Sequence, residues 1–161
     1  MSTQTSYSER MAPPSPGVIA GSDYDTKTGI CETASPGIPF GRAVGQGTLS
    51  DQGTVLGGTL AKFKGISVRD ITLRGDVATA DLDKYQAPNN MAILSRGEIW
   101  AEPGEAVNAG DPVFFNSTTG VLMKATNTGL VGPIKGAAWK TSCGIGGRAV
   151  VMLAGYNIPS A

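Results

Sequence analysis

Lys124 follows Met123 in the stretch EAVNAGDPVFFNSTTGVLMKAT, residues 105–126, and a Gly110-Asp111-Pro112-Val113 step stands shortly before it. A lysine at an exposed hairpin tip can carry biotin or lipoate through an amide on its Nζ. Such a swinging arm needs the Met-Lys pair at the tip and the Gly-Asp turn later in the chain. Here the order is reversed, and Lys124 falls in the strand that returns from the NSTTG turn, residues 116–120. The placement fits a solvent-facing strand lysine, with its neighbour Met123 a core candidate.

The other chemical candidates are weaker still. GIGGRA (residues 144–149) has the spacing of a phosphate-binding glycine loop, but that loop needs a helix behind it. The next residues, VVMLAG, are strand-like, and a glycine-rich turn between strands is expected instead. DYDTKTG (residues 23–29) opens like a calcium loop, yet Lys27 puts a cation where an oxygen ligand is needed. A polar turn is expected there. The carboxylate pairs Glu102 with Glu105 and Asp81 with Asp83 read as solvated surface groups. The chain has no histidine, so the commonest general base and metal ligand are missing and nothing obvious activates its many hydroxyls. Cys31 and Cys143 are far apart and form no CxxC pair; two small buried apolar groups are expected rather than a disulfide or a metal site. Catalysis is disfavoured, and no catalytic residue, metal or cofactor is assigned.

Any surface with a task must be positioned by short strands. Charged residues are only 16% of the 161, against roughly 25% in average domains, while glycine supplies 23 residues and proline 10. Such a chain suits strands joined by turns better than long helices. The 13 basic and 13 acidic residues balance, with no basic block for phosphates, so no nucleic-acid partner is expected. No apolar run is long enough to span a bilayer, and the N-terminus lacks the apolar core of a secretory signal. A soluble protein made in the cytoplasm is expected.

Residues 1–36 are rich in Ser, Thr, Pro and Gly, including APPSPG at 12–17, and read as an extended N-terminal arm. Its large side chains, Tyr7, Arg10, Met11 and Tyr24, are the ones available to touch a partner. Residues 37–161 read as an all-β core, a compact antiparallel β-barrel or jelly-roll-like sandwich. IPFGRAV (38–44) is a candidate first strand. In LAKFKGISVRDITL (60–73) the apolar phase slips, which predicts bends near Gly65 and Arg69-Asp70. A helical turn is expected near residues 81–85. MAILSRGEIWAE (91–102) reads as one strand or a tight pair around Arg96-Gly97. Trp100, Trp139, Phe63, Phe114 and Phe115 fall on strands, as core or subunit interface. AVVMLA (149–154) is apolar on both faces, so a central or covered strand is expected.

Several of these pieces, in this order, resemble one family. GISVRD, MAILSRGEIWAE, EAVNAGDPVFF, NSTTGVL, AAWKTS and GGRAVVMLAG are similar to the strands and turns of the cement, or head-decoration, proteins of tailed bacteriophages, and GIPFGRAV fits their opening strand. The resemblance covers most of residues 37–155, with no matching motif in the first 36. It implies a non-enzymatic protein on the outer surface of a phage head, made in the host bacterial cytoplasm. Its implied partners are the major capsid protein, whose subunit contacts it stabilises, and copies of itself, a homotrimer being favoured over a dimer. A different class, a carbohydrate- or ligand-binding β module of a phage tail or cell surface, would need an aromatic-lined groove.

Overall fold

The structure, a computed structural model, describes residues 12–49, 53–73, 83–125 and 128–154. Its strands are β1 (Asp25–Cys31), β2 (Ile38–Pro39), β3 (Ala43–Gln46), β4 (Gly53–Leu56), β5 (Phe63–Ser67), β6 (Lys84–Tyr85) and β7 (Asn90–Ala101). They continue with β8 (Phe114–Asn116), β9 (Leu122–Met123), β10 (Leu130–Val131), β11 (Ala137–Trp139) and β12 (Ala149–Leu153). One turn of 3-10 helix, Leu60–Lys62, precedes β5. The fold is all-β, as the glycine and proline content led us to expect.

Strands β1, β4, β3, β5 and β7 pair in that order, and β1 returns to β7 to close a barrel. Closure leaves no open edge in this ring. One pairing departs from the antiparallel rule: β1 runs parallel to β4, Ile30 opposite Gly53 and Cys31 opposite Thr54. The second half of β7 pairs with β12, and β12 with β11, so β12 is an internal strand, which explains its apolar faces. A three-stranded sheet, β10-β8-β9, and the small β2-β6 pair complete the fold.

The wall has apolar side chains on both faces, and each face has its own cluster. Cys31, Ile38, Phe40, Val44, Tyr85, Met91 and Ile93 form the smaller one. Ile66, Leu94, Ile99, Phe115, Leu122, Trp139 and Val151 belong to the larger. Leu94 and Ile99 have opposite parity yet share a cluster. The reason is a bulge: Asp25 pairs with Arg96 but Thr26 with Leu94, leaving Ser95 as the extra residue. The Ser95 hydroxyl donates to the Asp25 carbonyl at 3.1 Å.

The phase slip expected at Gly65 is a second bulge. Val44 faces Gly65 and Gly45 faces Phe63, so Lys64 is extra. Gly65 adopts φ 150°, and a Cβ there would lie 2.1 Å from the Leu94 carbonyl oxygen. Only glycine lets β5 approach β7 this closely. At Arg69-Asp70 the strand has already ended. Residues 91–102 are not a tight pair: β7 is one continuous strand of 12 residues.

Four readings are corrected. Residues 38–44 are not one strand; a turn at Phe40-Gly41 separates β2 from β3. Lys84 and Tyr85 are not helical; they pair with Pro39 and Ile38. Met123 is half-buried, and Leu122 beside it is the fully buried core residue. Asp25–Gly29 is strand rather than polar turn, because its backbone pairs along β7 while the first four side chains face solvent.

Of the residues read from composition as part of an arm, 25–31 are the barrel strand β1 and 15–20 lie against the barrel. Gly17 N–H donates to the Trp100 carbonyl at 2.7 Å, and its own carbonyl accepts from Arg69 N–H at 2.7 Å. Trp100 N–H donates to Val18, and Ala20 N–H to Glu98. The segment crosses at glycine because a Cβ on Gly17 would lie 2.7 Å from Cβ of Phe40. Residues 1–11 lie outside the described residues.

Candidate functional site

The 105–126 hairpin is held by its own polar groups. Asp111 Oδ2 accepts from Asn108 N–H at 2.9 Å, which closes the Gly-Asp turn. Asn116 Oδ1 accepts from the backbone N–H groups of Thr118 and Thr119, both at 2.9 Å, and shapes the next turn. Glu105 Oε1 accepts from Lys124 N–H at 2.9 Å and Ala125 N–H at 3.1 Å, tying the returning strand down. The two motifs that suggested a carrier do meet: Lys124 Nζ lies 3.8 Å from Asp111 Oδ2. They meet as an ion pair beside a strand, with Lys124 partly buried and away from the turn.

The remaining candidates resolve into structure as well. Residues 144–147 form a turn, Gly147 N–H to Gly144 carbonyl at 3.0 Å, and β12 comes next rather than a helix. Asp23 pairs with Arg96 at 2.9 Å. No group of three His, Cys, Asp or Glu able to hold a metal exists among the described residues. Both cysteines are free. Burial pushes both thiols above their ordinary range, and Cys31 also lies 3.6 Å from the Thr33 and Tyr85 carbonyls. A thiol kept protonated is a poor nucleophile. Asp83 pairs with Arg69 at 2.6 Å, while Asp81 lies outside the described residues. Glu105 serves as a staple, while Glu102 is exposed.

Of the proposed contact residues, Tyr7, Arg10 and Met11 lie outside the described residues. Tyr24 is 49% exposed and sits over Gly97, at the start of β1 rather than on a free arm. Ile71, Ile145 and Leu49 are the most exposed large apolar side chains described, at 83%, 82% and 63%.

Sequence reasoning missed one feature. A cleft of about 310 Å³ opens between residues 15–16, the Phe40-Gly41 turn, Arg69, Asp83-Lys84, Glu102 and Arg148. Arg148 Nη1 donates to the carbonyls of Pro13 and Pro14, at 3.0 and 3.2 Å, and clips the proline-rich segment to the barrel. The Arg69 guanidinium lies 5.3 Å above the Phe40 ring, which packs edge-on to Tyr85. Arg42 also lines the cleft; burial lowers its affinity for the proton, and Glu102 opposes that shift. These arginines are scattered along the chain and converge only through the crossing at Gly17 and the β2–β3 turn. No local pattern announces them.

Among the described residues the ring of strands is closed, and the motifs that suggested chemistry are taken up in turns, staples and ion pairs, the architecture of a β-barrel protein. The chain belongs to a phage family: the model of the family described as "Structural cement protein (E217 gp24/Pam3 gp6)" matches residues 3–154. The match reaches well into the first 36 residues, where motif reading had found nothing. It agrees with the pairing of residues 17–31 along β7. Among solved structures, a chain from "The capsid of Myoviridae Phage XM1" superposes with a TM-score of 0.69, covering 96% of this chain and 98% of that one. At 14% identity that likeness is one of fold. No curated protein matches in a sequence comparison.

Proposed function

We propose that the chain is a non-enzymatic cement protein that binds the outer surface of a tailed-phage head and stabilises contacts between major capsid protein subunits. The observation that carries this is the family match over residues 3–154. The structure is consistent with it, since the barrel ring is closed and the groups that resemble reactive sites are committed to holding loops. A clamp needs a stiff body and a broad contact surface. The exposed Ile71, Ile145 and Leu49 supply apolar contact points, and a chain with zero net charge is not repelled by its own neighbours. We assign Tyr7, Arg10, Met11 and Tyr24 to capsid contact, the first three in the segment preceding the Arg148 clip. A homotrimer, or a dimer, would let several weak contacts act together on a repeating lattice.

A carbohydrate-binding module would need an aromatic-lined groove, and among the described residues Tyr24 is the exposed large aromatic.

The test is co-sedimentation with undecorated heads. The full chain should bind saturably, and a chain lacking residues 1–11 should bind more weakly while keeping its thermal unfolding transition. Equal binding of the truncated chain would remove the N-terminal residues from the contact. Absence of saturable binding by the full chain would remove the cement reading.

A further inference from the structure

The cleft beside the N-terminal clip carries an inference about what the protein recognises. Four cations line it, Arg42, Arg69, Lys84 and Arg148, against two carboxylates, Asp83 and Glu102. Among the described lining residues cations therefore outnumber carboxylates. Asp83 is engaged by Arg69, and Arg148 is engaged by the Pro13 and Pro14 carbonyls.

Arg42 differs. Its backbone is fixed: its N–H donates to Ser67 Oγ at 3.0 Å, and its carbonyl accepts from Ser67 N–H at 2.9 Å. Its guanidinium donates no hydrogen bond to any described residue, and Glu102 is the charge that acts on it. It is partly desolvated at the cleft, yet no buried side-chain nitrogen or oxygen among the described residues lacks a partner. The unbonded guanidinium nitrogens are therefore reachable from outside. A guanidinium offers five donors in a planar fork that matches a carboxylate's two oxygens.

We infer that this cleft is a receptor for an acidic protein segment, with a partner's Asp or Glu carboxylate seated on Arg42. The identification of that partner as a capsid subunit rests on the cement reading above. Apolar surface beside the cations, from Phe40, Pro16 and Pro39, suits a peptide loop better than a free inorganic anion.

The test tracks the arginine Nε–H signals of the isotopically labelled full chain by NMR, in parallel with head co-sedimentation. A hexaglutamate peptide should shift the Arg42 signal saturably, hexaglutamine should not, and inorganic phosphate should do so only at much higher concentration than hexaglutamate. Arg42→Gln should abolish the saturable response and weaken head binding about tenfold or more. Arg42→Lys, which keeps the charge but not the fork, should fall between. Hexaglutamine acting like hexaglutamate, or phosphate saturating the site where hexaglutamate does not, would overturn the proposal. Heads that bind Arg42→Gln as tightly as the natural chain would overturn it too and leave the cement reading standing. Saturation by hexaglutamate without any head binding would support the cleft and remove the cement reading instead.

Discussion

Tyr85 is the side chain whose loss should report most cleanly on how the smaller cluster is held. Its ring is fully buried and packs edge-on against Phe40, with centroids 5.2 Å apart. Its hydroxyl donates to the Val68 carbonyl at 2.7 Å and accepts a longer bond, 3.4 Å, from Ala92 N–H. Tyr85→Phe keeps the ring and removes only the oxygen. The short bond crosses from β6 to the chain just past β5, so its loss leaves the carbonyl of half-buried Val68 without that donor. Leaving a polar group unpaired costs about 1–3 kcal/mol when it is buried and less when it is half-buried, and the long Ala92 bond adds little. We therefore expect a loss of about 1–1.5 kcal/mol. In a domain of this size that lowers Tm by about 2–6 °C at fixed protein concentration. Calorimetry, or denaturant unfolding followed by tryptophan fluorescence, measures it directly. A change below about 0.5 kcal/mol, the range of ordinary surface substitutions, would refute the reasoning.

The same residue sets an alkaline limit. Burial raises the Tyr85 pKa, the bond from Ala92 lowers it and Asp70 raises it, so the fold favours the neutral phenol. That contribution is fully present below the unfolded-state value, about pH 10, and is lost as pH rises through the raised folded-state value. Cys31, raised chiefly by burial, adds a loss that begins above about pH 8.5. Tyr85→Phe should flatten the steeper part of a plot of Tm against pH. Glu105→Ala removes the acceptor of two backbone bonds and should cost about 2–3 kcal/mol by denaturant titration. Lys124→Ala should cost less than about 1 kcal/mol and leave head binding unchanged, since its ion pair is long and partly exposed. Intact mass after expression in a biotin- and lipoate-replete host should show no adduct on Lys124; an adduct would revive the carrier reading.

Turns and bends were legible because their chemistry is local. The Gly-Asp and NSTTG turns, the glycine turn at 144–147 and the slip at Gly65 each arise from residues adjacent in the chain. The features that escaped reading depend on distant partners. Asp25–Thr28 carries polar side chains and looks like a turn, yet it is a strand because β7 offers its backbone. The 38–44 run looks continuous, but its Phe40-Gly41 turn makes room for Gly17 to cross. Lys84 and Tyr85 show no strand period in two residues and become strand only opposite β2. Alternation gave the wrong member of the Leu122-Met123 pair because two positions cannot fix which face is inward. The arginine cleft is the extreme case, assembled from segments far apart in the chain. The family, by contrast, was legible in the order of short motifs, each weak alone.

The proposed strengthening of a phage head from outside is tested by the thermal stability of the head itself. Undecorated heads, saturated with the purified chain, are heated while DNA release is monitored with a dye that cannot enter intact shells. The account predicts release at a higher temperature than for bare heads, and an intermediate shift for Arg42→Gln at the same added concentration. Release at the same temperature, with saturable binding demonstrated in the same sample, would contradict it.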